Sequence, residues 1–476
     1  TVKVVTLRDK FGRLLQKSNP IPANSSGQIE SWTQYRYDAL DRKTRVTNAA
    51  GDPKIFAYSG LSTTTTNEKG QITAEYKNHL DQTLKVVDAK GYTVGYEYDA
   101  SGNLTSTIDH EGNRIEVTYN SVDQKIAMDD PDMGSWRYKY NVLGELVSQT
   151  DARDRQTTHA YDQLGRMIRR VTDEGITTWI YDNALRGIGK LQSVSLPESG
   201  YNKMLQYDSL GRLSKSMVSI NGEAQSFSYA YDQYSRPLHI NYPHGLKVES
   251  HYNSNGVLSY QNVSLGGAHQ ANWRLTETNA NGDFISQELA EGGLKIYREY
   301  DPALFRLQAV RSTMGIGTIK DTAYGWDSIG NLNWRNDATE RSSEKFQYDS
   351  LNRLVRTILI TNSGAVESME IDYDAIGNIT YKSNVGAYTY DRTGQRPHAV
   401  ANIDHSTASR AVSSRIANPG GNFDYDANGN LVSGGGRQLH WSSFNKPLEI
   451  TDADGNIARY QYGPDQERIL GEVGKA

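Results

Sequence analysis

A tyrosine followed by Asp or Asn recurs at Tyr98, Tyr119, Tyr140 and Tyr161, at a constant step of 21 residues. An internal period of this kind constrains the fold strongly, because every copy must build the same local structure. Each copy opens on a short alternating run that ends in the tyrosine: Val94, Tyr96 and Tyr98, then Ile115, Val117 and Tyr119, then Trp136, Tyr138 and Tyr140. Alternation with period two places these side chains on one face of a strand and the intervening polar ones on the other. A turn of the form Asp-x-x-Gly follows, as in Asp99 with Gly102 and Asp162 with Gly165; the copy after Tyr140 carries Gly144. Aspartate closes a turn through its own side chain, and glycine tolerates positive φ. A second alternating strand (Leu104, Ser106, Ile108) and a second turn (residues 109–112 or 151–154) complete the unit. Strand, turn, strand and turn within 21 residues predict one β-hairpin per copy.

The motif runs through most of the chain. Asp9 and Gly12 form a degenerate copy without the tyrosine, and residues 18–30 read as a Pro/Ser/Gly loop. Tyr37 with Asp38 resumes the pattern, with Asp41 where glycine usually stands, and Tyr76 continues it. Beyond Tyr161 come Tyr181, Tyr207 (with Asp208 and Gly211), Tyr231 and Tyr252, at steps of 20, 26, 24 and 21. The signature weakens up to Tyr300, although residues 271–278 still alternate. It returns at Trp326, at Tyr348 with Asp349, at Tyr373 with Asp374 and Gly377, and at Tyr390. Trp326 is the same kind of flat, amphipathic ring as tyrosine. Residues 394–422 are the longest break and read as a loop or a non-repeat excursion. Tyr425 with Asp426 and Gly429 restarts the motif, and Tyr462 opens a last variant. No linker divides the chain, so residues 1–476 are expected to form one continuous repeat region.

Composition narrows the class. The chain has 31 Tyr and 43 Gly against 8 Phe, only 37% hydrophobic residues and a mean hydropathy of −0.67. This is an ordered composition suited to an extensive sheet with one wet face. A net charge of −5 leaves no electrostatic footprint for nucleic acid or an anionic membrane. The absence of cysteine excludes disulfides, thiolate chemistry and Cys-ligated zinc. No run reaches the ~20 apolar residues of a helical membrane span. The chain begins on Thr1 without a charged and apolar leader, so it reads as a fragment or a processed product. Hairpins joined in sequence make a long antiparallel strip, and strand twist makes such a strip coil. A propeller blade needs ~40–50 residues, which argues against that architecture. A narrow β-solenoid stays open on these grounds.

The motif Tyr-Asp-x-x-Gly-Arg/Asn-Leu at this spacing resembles the YD repeat of the Rhs (rearrangement hot spot) family. That family includes shell-forming components of bacterial ABC-type toxin complexes, Rhs effectors and, more distantly, teneurins. The resemblance covers nearly the whole chain. It implies an all-β fold in which tandem hairpins form a long antiparallel strip spiralling into a hollow shell, a β-cocoon. The shell of the family encloses the protein's own C-terminal toxin or effector domain. The implied function is structural encapsulation and delivery of that domain by a secreted bacterial protein, without catalysis or cofactors in this region. Implied partners are the enclosed domain and other toxin-complex subunits or a secretion apparatus. The family's aspartate-based self-cleavage stretch, DPxGLxDPxG-like, does not occur in this sequence. Asp130 and Pro131 look similar but fall mid-chain, in an inter-strand turn. The N-terminal extension, the self-cleavage core and the toxin are thus expected to lie outside these residues.

A search for chemistry finds no catalytic, cofactor-binding or metal-ligating set. His244 with His251 and His398 with His405 lack zinc-site spacing. Asp129, Asp130 and Asp132 offer oxygens for calcium, but an Asp-rich turn is the simpler reading. Gly187 with Gly189 and Gly315 with Gly317 fall short of phosphate-loop spacing. No Gly-x-Ser-x-Gly elbow is present, and carboxylates in every turn make no single pair informative. The candidate residues are therefore the repeat positions themselves: Tyr, Asp and Gly of each copy. Their rings could stack on sugars, which would suit a surface adhesin or a carbohydrate-binding array. Regular spacing argues instead for cross-strand packing, worth roughly 0.2–1 kcal/mol per pair. The seven tryptophans are not placed unit by unit, unlike those of choline-binding modules.

Overall fold

The computed structural model describes residues 2–23, 31–290, 293–364, 366–391, 395–409 and 420–475. The alternating runs are strands: Thr93–Tyr98, Arg114–Tyr119, Gly134–Tyr140 and Gln156–Tyr161. Each pairs antiparallel with the strand that follows it in sequence: Leu104–Ile108, Lys125–Asp130, Leu146–Thr150 and Met167–Thr172. Among the described residues, 37 strands join into one long antiparallel sheet. A separate six-stranded sheet runs from Asp424–Tyr425 to Arg468–Lys475. Helical segments among the described residues are three-residue 3-10 turns.

Every copy carries the same irregularity. Tyr98 lies opposite Leu104, but its neighbour Glu97 lies opposite Ser106, so Thr105 is an extra residue. The same shift occurs at Tyr119, Tyr140, Tyr161, Tyr207, Tyr348 and Tyr425. A β-bulge bends its strand and increases the local twist. The repeat therefore bends the strip at one fixed place per hairpin, a property that period-two alternation does not reveal.

The chain divides into two compact units, residues Thr1–Val94 with Gly245–Ile371, and Gly95–His244 with Asp372–Ala476. The first is a meander of two runs of hairpins. The second combines hairpins of residues 95–244 with the six-stranded sheet. Residues 24–30 of the expected loop lie outside the described residues, but Ile21–Pro22 pairs with Val2–Lys3 as a short strand. The break at 394–422 is partly regular, because Val400–Asp404 pairs with Gly386–Tyr390. That strand lacks the tyrosine signature, which is why the motif conceals it; residues 410–419 lie outside the described set.

Burial is thin, as a single-layer sheet requires. Among the described residues, large apolar side chains are fully buried at only a few points, and small polar ones such as Ser106, Ser148, Thr177 and Ser216 are buried beside them. Among the described residues, a cluster of buried apolar side chains lies in the second unit: Val194, Leu196 and Tyr201, backed by Trp179, Val218 and Ile469. Stability must come mainly from many repeated local contacts.

Candidate functional site

The first turn of each hairpin, following the tyrosine, is built by its aspartate. Asp162 Oδ1 accepts from the amides of Leu164 (2.9 Å) and Arg166 (3.0 Å), and Oδ2 accepts from Arg166 Nε at 2.7 Å. Asp99, Asp208, Asp349, Asp374 and Asp426 accept in the same way from the amide four residues on. Hydrogen bonds from Arg166 hold the Asp162 carboxyl below its ordinary range, so the cap stays an acceptor at neutral pH. The fourth turn position is left-handed, with φ of 92° at Gly102, 85° at Gly144, 74° at Gly165, 72° at Gly211, 99° at Gly377 and 80° at Gly429. The turns and positive φ expected from the motif are thus present.

The tyrosine is a staple between hairpins. Tyr119 donates its hydroxyl to Leu104 O (3.1 Å), Tyr140 to Lys125 O (2.9 Å) and Tyr161 to Leu146 O (2.9 Å). Tyr207, Tyr348 and Tyr425 donate to Leu191 O, Leu332 O and Val400 O. Trp326 repeats the bond through its indole nitrogen to Leu307 O at 2.7 Å, and Trp441 does so to Leu431 O. Tyr98 and Tyr373 end their strands at the corresponding place. Burial raises the phenol of Tyr161 and of Tyr207 above the ordinary value, so the hydroxyl remains a donor. A Tyr161→Phe variant is expected to lose roughly 0.5–1.5 kcal/mol, read as a lower urea midpoint at unchanged slope. An unchanged midpoint would show that the ring alone carries the contact.

In several copies the residue closing the first turn reaches forward to the next one. Arg13 Nη1 meets Asp41 Oδ1 at 2.7 Å, Asn103 meets Asp123 at 2.8 Å, Asn331 meets Asn352 at 3.1 Å and Asn430 meets Asn445 at 2.9 Å. The acceptors sit at the glycine position with φ near 60°. Asn and Asp tolerate this conformation. At these four copies the side chain at the glycine position is the rung of a ladder, whereas Asp81 pairs with Lys77 of its own turn. Arg166 and Arg212 also lie over the next tyrosine rings, Tyr181 at 4.4 Å and Tyr231 at 4.7 Å, a favourable cation–π arrangement.

Second turns from early in the chain dock on first turns from late in it, separately within each unit. In the first unit Lys69 Nζ pairs with Asp327 Oδ2 at 2.8 Å, Lys90 Nζ with Asp349 Oδ2 at 2.9 Å, and Gln71 bonds Asn352 at 3.0 Å. Burial pushes the Asp349 carboxyl up, but Lys90 and the Arg353 bonds outweigh it and hold it at about 2. A depressed folded value makes this stabilisation complete above the ordinary aspartate range near ~3.9 and lost as pH falls towards ~2. An Asp349→Asn variant should therefore be less stable than the parent at neutral pH, with the gap narrowing as pH falls through that window. A gap independent of pH would assign its effect to another cause.

In the second unit Arg153 is the hub. It meets Asp151 at 3.0 Å, Asp426 at 3.2 Å, Ser442 O at 2.8 Å and Asn445 Oδ1 at 3.1 Å. Asn428 Nδ2 donates to Asp151 Oδ2 at 2.6 Å. Glu174 accepts from the amide of Ser443, and Arg170 donates to Pro464 O. The Asp130–Asp132 turn belongs to the same seam: Asp130 caps the amides of Asp132 and Met133, and Asp132 Oδ2 lies 2.6 Å from His398 Nδ1. His405 meets Val385 O. Thus Asp130 and Asp132, considered for calcium, are engaged in turn and seam contacts, and Asp129 accepts from the hydroxyl of Ser135 on the paired strand.

The comparisons with known proteins agree with this geometry. Residues 59–196 match the family described as Teneurin YD-shell. The structure of TcdB2-TccC3 superposes with a TM-score of 0.80 at 15% identity, covering 98% of this chain and 28% of that chain. TcdB2-TccC3 without its hypervariable C-terminal region gives 0.81 at 14% identity, covering 98% and 27%. The Photorhabdus luminescens Tc holotoxin pore gives 0.76 at 15%, covering 98% and 29%. This chain has the YD-repeat shell fold. It spans about 28% of the length of the TcdB2-TccC3 chain it matches. No curated protein sequence matches it.

Within this fold, sequence reasoning located the tyrosine, aspartate and glycine of the repeat copies. It missed the hydroxyl-to-carbonyl bond, the forward ladder, the role of Trp441, and the seam residues Lys69, Lys90, Arg153 and Glu174. The ladder had a visible signal: Asp or Asn at the glycine position, as at Asp41 and Asn352, in step with Arg or Asn closing the preceding turn.

Proposed function

We propose that this chain is a stretch of the wall of an encapsulating shell, which holds a toxin or effector domain of its own polypeptide and performs no catalysis itself. The observation that carries the reading is the seam. An array of repeats that only displays binding surfaces gains nothing from joining first turns to second turns through partly buried ion pairs, whereas a wall needs its edges closed. The bulge that recurs at the tyrosine of successive copies gives a strip a reason to curl, and the likeness to a Tc holotoxin structure supports the same reading. The proposed partners are the enclosed domain and other toxin-complex subunits or a secretion apparatus, and the proposed location is outside the producing cell.

The test uses the full-length gene product, compared by native and denaturing mass. A C-terminal fragment that is already cleaved, co-migrates natively and resists added protease is expected. One uncut chain whose C-terminal region is freely digested would overturn encapsulation and leave a glycan-binding array, to be screened on sugars. X-ray scattering of the repeat region should give a radius of gyration above the roughly 23 Å of a compact chain of this length; a value at 23 Å would exclude an enclosed space.

A further inference from the structure

Three first turns end in the same dipeptide, Asn-Gly, at residues 255–256, 281–282 and 428–429. Their backbones match. The glycines have φ of 80°, 92° and 80°. Each donates its amide to the carbonyl three residues back, at 2.9, 3.1 and 3.0 Å. Asn-Gly is the dipeptide most open to deamidation, because glycine has no side chain to keep its amide nitrogen away from the asparagine carboxamide. The surroundings differ. Asn255 and Asn281 are exposed. Asn428 is 4% exposed. Its Nδ2 donates twice, to Asp151 Oδ2 at 2.6 Å and to Asn445 Oδ1 at 3.0 Å.

The docked turn also pins the reacting backbone. Asp132 O lies 2.5 Å from where a Cβ on Gly429 would stand, and Ala427 O lies 2.7 Å from the same place on Gly134. Ring closure requires the Gly429 nitrogen to swing onto Cγ of Asn428. Neither the clasped backbone nor the twice-bonded carboxamide allows that movement while the seam is shut.

We propose that Asn428 is a deamidation site gated by the seam: it is stable while residues 131–134 and Asp151 are docked on it, reacts when they part, and then keeps the seam from closing again. In the reaction the Gly429 nitrogen bonds to Cγ of Asn428, and its proton leaves with the carboxamide nitrogen as ammonia. The resulting succinimide takes up water and opens to aspartate or isoaspartate. Either product is a carboxylate. Aspartate sets its charge against Asp151 where an N–H donor stood, and Oδ1 is already buried without a partner among the described residues. Arg153 is shared between Asp151 and Asp426. A buried carboxylate facing another without a donor of its own resists redocking. Isoaspartate also lengthens the turn backbone by one carbon. A local opening that is otherwise reversible thus becomes one-way. The site does not depend on anything being enclosed.

The test is peptide mapping by mass spectrometry on the 476-residue chain held in mildly alkaline buffer, with isoaspartate scored by methyltransferase labelling. Asn255 and Asn281 are the internal clocks. In the parent, conversion of Asn428 is expected to lag them by more than roughly tenfold, the lag imposed by a seam open in about one molecule in ten. Arg153→Met, which loosens the seam, should bring Asn428 close to the clocks. Sub-denaturing urea on the parent replaces that variant if it folds poorly, and should raise the rate at Asn428 alone. Hydrogen exchange reads the latch separately, at the amides of Arg396 and His398, which donate across the seam to Pro131 O and Asp132 Oδ1. Asn428→Asp should speed their exchange, and Asn255→Asp should leave it unchanged. Parental conversion of Asn428 as fast as that of Asn255, no rise in either the variant or urea, or exchange in Asn428→Asp at the parental rate would each overturn the proposal.

Discussion

Replacing Arg153 by methionine is expected to destabilise the second unit by about 3–5 kcal/mol, the usual cost of removing one partner from a buried ionic network. The Arg153 side chain is 11% exposed, and the Asp151 and Asp426 side chains that it joins are 3% and 16% exposed. Without the guanidinium, two carboxylates face each other out of water, and Ser442 O and Asn445 Oδ1 lose a donor. Lysine should restore little, because one ammonium cannot satisfy four acceptors arranged around a planar fork. Adding Asp151→Asn to the methionine variant should recover part of the loss, because it removes the stranded charge. Chemical denaturation of the three variants checks this. A loss under about 1 kcal/mol for Arg153→Met would mean that water already screens the seam.

Gly429→Ala is expected to cost roughly twice as much as Gly377→Ala, although both glycines hold the same turn position. Their φ values are 80° and 99°, so each alanine pays the left-handed penalty of roughly 1–2 kcal/mol. At Gly377 an added methyl meets nothing within 4 Å, whereas at Gly429 it falls 2.5 Å from Asp132 O, backbone of the docked second turn. The first substitution strains one hairpin; the second must push the seam apart, adding overpacking of roughly 1–3 kcal/mol. Paired unfolding curves decide the matter. Equal losses would show that the seam yields freely at this point.

The two glycines illustrate how far the sequence reaches. Both are legible as turn glycines from Asp-x-x-Gly alone, because the aspartate cap and the left-handed residue lie within four positions of each other. Their difference is invisible there, since the atom that meets Gly429 belongs to a residue almost 300 positions earlier. The tyrosines show the same division. Alternation places Tyr161 on one face of a strand, but not the register that sets Met167 opposite it across the bulge, nor the carbonyl of Leu146, on the preceding strand, that accepts from its hydroxyl. The strand Val400–Asp404 escaped notice because it forms without the signature residue, from its β-branched and apolar side chains.

Local chemistry thus specifies the hairpins, their length and the hand of their turns, since caps, alternation and glycine act over a few residues and repeat with every copy. Which turn meets which is settled only by the assembled molecule. Lys69 and Asp327 are 258 residues apart, and Arg153 and Ser442 are 289 apart. Their meeting depends on the twist and bend accumulated over many hairpins, each slightly different in length, and on the fit of the side chains where the turns come together. No short pattern encodes that sum, so the hairpins are written in the repeat while their seams are written in the tertiary structure.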